Sequence, residues 1–302
     1  MTLQNNEIKL IPKAKNLEKA VITGKRIIAE EFTVKQMKQL DIYMNPVSKA
    51  DPVLAVNSMP ASTTTDESAN ISLRGSNPAE TGIFFNDVPV YDAVRFSQLN
   101  GIGTFSIFNT AIVERMHVFP SNPPIEYGNT SSGLISIQST NAIPNEHKYN
   151  ISASLANIGG QMSINLTPKT GLNIFGNYQP SNALIGVNEQ ALANLNNFSS
   201  IDLGVHLIHK FNQKSRLKLF NYSITEGYNY NYQHPTLHDD FIMDKNRNFT
   251  IVNYRKKMDN SEFSVNTGLN FSKEEYSYGN TDIDMNQRDV YLNINYQRFW
   301  DQ

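Results

Sequence analysis

The residues with the strongest potential for metal chemistry form the run His-Pro-Thr-Leu-His-Asp-Asp at 234–240. His234 and His238 are four residues apart. Asp239 and Asp240 follow directly, so imidazole and carboxylate groups share one short segment. Histidines at this spacing chelate one ion well when a helix places them on one face. Pro235 and the neighbouring acidic residues favour a loop instead, so we predict neither a metal site nor a bound cofactor.

No catalytic motif is present elsewhere in the chain. The sequence lacks a G-x-S-x-G nucleophile elbow, a phosphate-binding P-loop and an H-E-x-x-H zinc motif. It also has no cysteine, which excludes disulfides and thiolate metal sites. A net charge of −2 gives no electrostatic basis for binding nucleic acid. These features predict a protein that is not an enzyme and does not bind nucleic acid.

A second candidate site is the alternating run Tyr-Asn-Tyr-Asn-Tyr, in which Tyr228, Tyr230 and Tyr232 are the aromatic members. Tyrosines offer a flat apolar face with a polar tip, which suits sugars or aromatic chelators. The same alternation also fits an extended strand that continues above a membrane. Both interpretations stay open, and residues 227–248 are predicted to form one of two long links, the other being 180–199.

The elements that would position these residues change in kind near residue 145. Before that point we predict helices over 34–40 and 49–58. We also predict short strands, at Asn70–Arg74, Ile83–Asn86, Ile112–Phe119 and Gly133–Ser139. Such a mixture over about 120 residues indicates a small α+β domain.

After residue 145, period-two alternation replaces the helical pattern. In the segment 201–207 every odd position is apolar, and Asp202 and His206 lie between them. Similar alternation predicts about eight strands, at 148–157, 160–166, 171–178, 200–211, 215–225, 249–257, 262–276 and 288–300. Tight polar turns alternate with long links, as in an outer-membrane β-barrel. The alternative is a soluble or surface-exposed β-rich binding protein.

The targeting signals are ambiguous. The chain has no run of 18 apolar residues, and its N-terminus has no apolar core like that of a signal peptide. We expect either a protein that is not exported or a chain that begins downstream of the true start.

Three stretches resemble the TonB-dependent outer-membrane receptors, in which a plug domain sits inside a barrel of about 22 strands. "NISLRGSN" (70–77) resembles the plug strand that ends in Arg-Gly. "GIFFNDVPVYD" (82–92) is similar to the plug's hydrophobic strand and turn. "FNTAIVERMHVFPSNPPIEYGNTSSGLISIQST" (108–140) resembles its closing signature. The family usually has a second Arg-Gly where this chain has Phe119-Pro120, so the resemblance does not extend to a lock made by two arginines.

The resemblance implies three segments: a linker over 1–25, a plug over 26–144 and a partial barrel over 145–302. The barrel part would hold about eight of the 22 strands, as expected of a piece of a longer product. In the linker, Ala20, Val21, Ile22 and Thr23 are similar to the segment containing the TonB box, and such an extended stretch could add as a strand to a partner. The alternative, which is equally open, is that this segment is the first strand of the plug.

The implied function is active uptake of an iron chelate, cobalamin, glycan or peptide across the outer membrane of a Gram-negative cell. The implied partners are a periplasmic energy-coupling protein of TonB type, the ligand, outer-membrane lipid and a surface lipoprotein. Arg74 and Arg115 are expected to contact the barrel. The residues expected to face the ligand are Ser76, Asn77, Tyr91, Asp92, Tyr228, Tyr230 and Tyr232.

Overall fold

The computed structural model describes residues 35–64, 68–96, 105–121, 123–128, 130, 132–154, 157–187, 189–190, 193–234 and 237–300. The side chains at 184, 232–234 and 237–238 are outside this description. The proposed coupling segment Ala20–Thr23 and Pro235 also lie outside the described residues, as does the side chain of Tyr232.

The N-terminal domain is built on a five-stranded sheet. Its strands are β1 (Lys35–Lys38), β2 (Thr81–Phe85), β3 (Val88–Pro89), β4 (Val113–Phe119) and β5 (Gly133–Ser139). They are arranged in the order β1-β4-β5-β2-β3, and β2 and β5 are the parallel pair. Helix α1 (Gln39–Met44) and three 3₁₀ turns, at Leu54–Ser58, Pro78–Glu80 and Thr110–Ile112, cover the connections. The predicted α+β class is confirmed.

The second sheet is an antiparallel meander of eight strands. They are β6 (Lys148–Ala153), β7 (Ile158–Thr167), β8 (Thr170–Pro180), β9 (Leu195–Lys210), β10 (Ser215–His234), β11 (Leu237–Lys257), β12 (Ser261–Tyr278) and β13 (Thr281–Arg298). Each strand pairs with the next one along the chain, and α2 (Asn182–Val187) lies between β8 and β9. Within the described residues β6 and β13 form the two open edges.

Two predicted helices differ from the structure near the N-terminus. Residues 35–38 are a strand because their backbone pairs with β4, and the helix begins only at Gln39. Over 49–58 only the 3₁₀ turn Leu54–Ser58 forms. Lys49 and Ala50 have φ of 48° and 63°, which an α-helix does not allow. The apolar residues of this segment are therefore buried without forming an α-helix, and the helix predicted from their spacing is wrong.

One predicted strand and one predicted loop are also wrong. Leu73 makes only an isolated bridge with Ser62, and Arg74 and Gly75 turn away with φ of 53° and 78°, so Asn70–Arg74 is not a regular strand. The predicted long link 227–248 instead belongs to the β10–β11 hairpin, in the part furthest from the turn between β9 and β10. The two strands of this hairpin have 20 and 21 residues. The interpretation of Tyr228–Tyr232 as an extended strand is thus confirmed.

The eight-stranded sheet has two chemically different faces. We call the side that contacts the N-terminal domain the inner face and the other side the outer face. Asp202 and His206 point inward and are buried, whereas Leu203 points outward and is 51% exposed. The outer face of β13 continues the pattern with exposed Val290 and Leu292. These strands are therefore apolar on the side away from the N-terminal domain, as the alternation predicted.

One hydrophobic core joins the two domains. Phe85 and Phe108 of the N-terminal domain stack on each other, and Phe85 also packs on Phe220 of β10 with ring centroids 4.7 Å apart. The cluster continues along the inner face of β8, β10 and β11, through Phe175, Tyr222, Ile224, Phe249 and Ile251. Burial of this much aromatic surface holds the N-terminal domain against the larger sheet.

Candidate functional site

The contacts that fasten the N-terminal domain to the inner face of the large sheet form the candidate site. Arg95 is at their centre. Its Nη1 donates to Asp202 Oδ1 at 2.9 Å, and its Nη2 donates to the Tyr222 hydroxyl at 3.0 Å. Asp202 also accepts from Asn177 Nδ2 at 2.9 Å. Buried charges need such partners, so these bonds fix Arg95 in one place.

A relay of hydrogen bonds in the N-terminal domain positions Arg95. The Arg95 backbone amide donates to Phe105 O, and its Nε donates to Ser106 O at 3.2 Å. Ser106 in turn donates from both its amide and its hydroxyl to Asp51 Oδ2, at 2.7 and 2.9 Å. The other Asp51 oxygen accepts from the amides of Val53 and Leu54. Asp51 thereby ties the segment that presents Arg95 to the domain core.

Burial and neighbouring charged or hydrogen-bonding groups together shift the pKa values of Asp51 and Arg95. Burial raises the pKa of the Asp51 carboxyl, although the hydrogen bonds it accepts act to lower it. Burial alone would lower the pKa of the Arg95 guanidinium, but the neighbouring Tyr222, Asp202 and Glu226 raise it above its ordinary value. Arg95 therefore stays charged and attracts the carboxylate of Asp202.

A second ionic contact lies beside the first, on β11. Lys245 Nζ pairs with the Asp92 carboxylate and, at 3.0 Å, with Glu274 Oε1 of β12. Arg247 donates to the backbone carbonyl of Asp92 and, at 2.7 Å, to that of Tyr91. Asp92 has a φ of 48°, a strained conformation that these contacts hold in place.

A third contact joins the end of β5 to the sheet. Lys218 Nζ donates to Ser139 O at 2.7 Å, and Ser139 Oγ lies 3.0 Å from His206 Nε2. Nearby, Asn253 Nδ2 donates to Asn86 O at 2.6 Å. The interface therefore combines a shared apolar core with polar contacts from β9, β10 and β11 to the N-terminal domain.

The two arginines expected to contact the barrel lie elsewhere. Arg74 is exposed in its turn and makes no ion pair with a described residue. Arg115 is also exposed, on β4 opposite Lys38 and Gln138. Its neighbour Glu114 accepts from Asn141 in the connection to β6. The barrel contacts of Arg74 and Arg115 stay predictions, and of these three arginines of the N-terminal domain Arg95 is the one that contacts the large sheet in the described residues.

The residues expected to face a ligand fall into three groups. Tyr91 and Asp92 are part of the contact with β11, so the described role of Asp92 is to pair with Lys245. Ser76 and Asn77 lie in the turn before the 3₁₀ segment Pro78–Glu80, where Asn77 Oδ1 accepts from the Ala79 amide at 3.0 Å. These two groups are on different loops, and no described contact joins them.

Tyr228 and Tyr230 form the third group, on the inner face of β10. Tyr228 stacks on Phe241 with ring centroids 5.8 Å apart, and Tyr230 is opposite Phe241 in the ladder. Phe241 also packs on Tyr276 at 5.9 Å. This aromatic surface lies on β10–β12 beyond the level of Glu226, which is opposite Lys245. Its role in ligand binding stays a prediction.

The departure from the family pattern at Phe119 has a structural counterpart. Phe119 is buried in a small cluster with Phe84 and Leu134, against which Tyr127 packs. Phe84 and Tyr127 meet edge to face at 4.9 Å, and the Tyr127 hydroxyl donates to Asp87 Oδ1 at 2.9 Å. An apolar cluster therefore occupies the place where an arginine was expected.

Two other features are absent from the described residues. Within the described residues, no group of three or more His, Asp or Glu side chains is arranged to hold a metal ion. In the same part of the chain no helix is long and apolar enough to cross a membrane.

The comparisons with known proteins agree with this architecture. Residues 30–134 match the family model of the TonB-dependent receptor plug domain. No curated protein matches the chain. Among solved structures, a mutant of the ferric enterobactin receptor PfeA from Pseudomonas aeruginosa aligns over 86% of this chain and 45% of its own, with a TM-score of 0.60 and 16% identity.

Two further structures have the same fold. The siderophore receptor PirA from Acinetobacter baumannii has a TM-score of 0.63 at 14% identity, over 88% of this chain and 45% of its own. The outer membrane transporter YddB from Escherichia coli has a TM-score of 0.56 at 10% identity, over 84% and 42%. The chain thus spans less than half the length of these relatives.

The resemblance seen in the sequence is confirmed in two parts: residues 30–134 match the plug domain of the TonB-dependent receptors, and the plug together with the antiparallel strands that follow it has the fold of the solved receptor structures. We therefore call the N-terminal domain the plug and the eight-stranded sheet the wall.

Proposed function

We propose that the full-length protein takes up a scarce solute across the outer membrane, driven by a periplasmic partner of TonB type. The observation that supports it most directly is the plug held against the inner face of a wall whose outer face carries exposed apolar side chains on several strands. A soluble binding protein would leave Leu203, Val290 and Leu292 in water, which is unfavourable over so continuous a surface.

The contacts between the plug and the wall suit a plug that moves to open a passage better than one that stays fixed. Its ionic contacts, Arg95 with Asp202 and Lys245 with Asp92, depend on geometry that a pull on the plug would change. We propose that the partner pulls on Ala20–Thr23 by adding this segment as an edge strand. Solute bound above the plug would then move inward, and Tyr228 and Tyr230 are candidates to contact it.

The experiment uses the full-length gene in a strain that lacks its own copy. Cells are supplied with radio-iron-labelled enterobactin, labelled cobalamin and a fluorescent maltodextrin, and bound and internalised label are measured separately. Val21→Pro should abolish uptake and spare surface binding, because proline cannot donate the backbone hydrogen bond that strand addition needs. Val21→Ile is the matched control and should transport normally. Normal uptake by Val21→Pro would remove this segment as the coupling strand.

A further inference from the structure

One row of polar residues crosses the inner face of five neighbouring wall strands. Gln179 of β8 lies opposite Ser200 of β9, and Ser200 lies opposite Glu226 of β10. The row continues to Lys245 of β11 and Glu274 of β12, and we call these five positions the Glu226 row. Residues directly opposite each other on one face have Cβ atoms about 5 Å apart. Because Gln179 and Glu226 are long and flank the short Ser200, their oxygens can meet above its hydroxyl.

The first three members of the Glu226 row have buried oxygens without hydrogen bonds. Glu226 is 2% exposed and Ser200 is 1% exposed. Among the described residues, neither carboxylate oxygen of Glu226 has a hydrogen-bond partner. Ser200 Oγ, Gln179 Oε1 and the hydroxyl of Tyr228, two residues further along β10, have none either. The backbone of Phe96, on the plug, lies beside Glu226 without completing a hydrogen bond of ordinary geometry. Buried polar atoms are normally satisfied, so several such oxygens in one row indicate that they face a common ligand.

The charges around the Glu226 row identify the sign of that ligand. Three cations and four carboxylates gather here: Arg95, Lys245 and Arg247, and Asp92, Asp202, Glu226 and Glu274. Of these four carboxylates, Glu226 is the one that forms no salt bridge within the described residues. The sequence adds no charged residue between Arg95 and Glu114. A buried carboxylate without a counter-charge is costly, so Glu226 requires one further positive charge.

We propose that the Glu226 row binds one monovalent metal cation, Na⁺ or K⁺, between Glu226, Ser200 and Gln179 and beside Phe96 of the plug. Hard cations prefer oxygen ligands, and this row offers carboxylate, hydroxyl and amide oxygens. Because it contains a single free carboxylate, the site is distinct from clusters of three His, Asp or Glu side chains, which the described residues lack. The inference does not depend on the proposed uptake function, since it concerns how the plug is held at rest.

Other occupants fit the Glu226 row less well. Water would bond to the oxygens but would not balance the charge of Glu226. A proton on Glu226 would balance the charge but would leave the oxygens of Ser200 and Gln179 without partners. A divalent calcium ion takes about six to eight oxygen ligands, commonly from several carboxylates. The neighbouring carboxylate of Asp202 is already bonded to an arginine and to an amide.

The bound cation stabilises the docked plug. Glu226 lies close enough to Asp92 for the two carboxylates to repel each other, and Asp92 belongs to the plug's contact with β11. A positive charge beside Glu226 offsets this repulsion. The stability of the docked plug should therefore depend on which monovalent cation is present, and not only on the ionic strength.

The test measures calorimetric unfolding of the plug in the full-length protein at one fixed ionic strength, with choline, sodium or potassium as the monovalent cation. Saturating sodium or potassium should raise the unfolding temperature by at least about 4 °C over choline, because a ligand that binds only the folded state stabilises it. The rise should saturate with concentration, as expected of a single site. Equal unfolding temperatures in the three salts would overturn the proposal and would leave water or a proton at Glu226.

Two pairs of matched variants assign the effect to the Glu226 row. Glu226→Gln keeps the shape and removes the charge, so it should abolish the difference between sodium and choline. Glu275→Gln changes an exposed carboxylate on the outer face of β12 and should keep that difference. Ser200→Ala should raise severalfold the cation concentration that gives half of the rise. Ser199→Ala, exposed on the outer face of β9, should not change it. A sodium effect that survives in Glu226→Gln would overturn the proposal.

A direct location of the ion covers the case in which Glu226→Gln does not fold. The thallous ion, Tl⁺, replaces alkali cations and scatters X-rays anomalously. Crystals of the unmodified full-length protein soaked in a thallous salt should give an anomalous peak in contact with Glu226 and Ser200, and a map without that peak would overturn the proposal. Neither measurement involves uptake: if no labelled solute enters cells, the proposed function is refuted, and the cation site is still decided by its own results.

Discussion

Arg95 of the plug and Asp202 of the wall, 107 residues apart in sequence, form an ion pair of 2.9 Å in which the Asp202 side chain is 1% exposed. This pair joins the relay that begins at Asp51 to the first long strand of the wall. Tyr222 completes the arrangement by accepting from the same guanidinium. Arg95 is therefore the described residue that couples the plug's internal structure to the wall most directly.

Arg95→Met should destabilise the docked plug by about 3–5 kcal/mol, because it leaves Asp202 as an uncompensated buried charge. Arg95→Lys should lose less stability, because the positive charge beside Asp202 is kept. Some loss remains, because the contact with Tyr222 is lost. Calorimetric unfolding of the plug in the full-length protein measures both. Lys169→Ala is the control: Lys169 is exposed in the turn between β7 and β8, and its removal should change stability by less than about 0.5 kcal/mol. An equal loss for Lys169→Ala would contradict the assignment of this plug-to-wall contact to Arg95.

The sequence did not identify Arg95 because its local signal is weak. Its partners lie on β9 and β10, and the relay through Ser106 exists only after the chain has folded. Arg74 stood out because it is followed by glycine in a stretch that resembles the family, yet it lies exposed in a turn. A charged residue between small and apolar ones in "YDAVRF" was the available signal.

The wall was more predictable than the plug, for a physical reason. Period-two alternation depends only on which side each residue faces, so the inward direction of Asp202 and the outward direction of Leu203 could be read directly. The part of the β10–β11 hairpin at 227–248 was missed because its outer residues are polar: Asn231 donates to Asp240, and Asn246 accepts from Thr225. Without an apolar face, these strand segments look like loops.

Gly268→Ala should destabilise the closed plug by about 1–3 kcal/mol, because the added methyl would overlap Val88. Combining it with Val88→Ala should restore most of the loss, which calorimetry of the double variant would show. Gly128→Ala is the matched control, since no atom lies within 4 Å of a Cβ at that position. If Val88→Ala did not restore the stability lost in Gly268→Ala, a contact other than Val88 would determine how closely the plug approaches β12.

Plug stability should fall as the pH rises through the raised pKa of Asp51. The folded state binds this proton more tightly than the unfolded chain, whose aspartate has a pKa of about 4. The stabilisation is therefore complete below the unfolded value and is lost as the carboxyl ionises in the folded plug.

Asp51→Asn tests this by removing the titrating group. The variant should be less stable at low pH, because an amide nitrogen cannot accept both bonds from Ser106. The difference in unfolding free energy between the two proteins should shrink as the pH rises above the raised pKa. A difference that stays constant across this range would show that Asp51 does not titrate there.

The central claim is that the outer face of the wall lies against lipid while the plug is clamped to the inner face. Spin labels at Leu203 and Val205, and separately at Asp202 and His206, of the full-length protein in outer-membrane vesicles test it most directly. The account predicts that the first two collide mainly with oxygen dissolved in lipid, and that the second two are shielded from it. Labels at Leu203 and Val205 that instead collide mainly with a water-soluble nickel chelate would contradict the account.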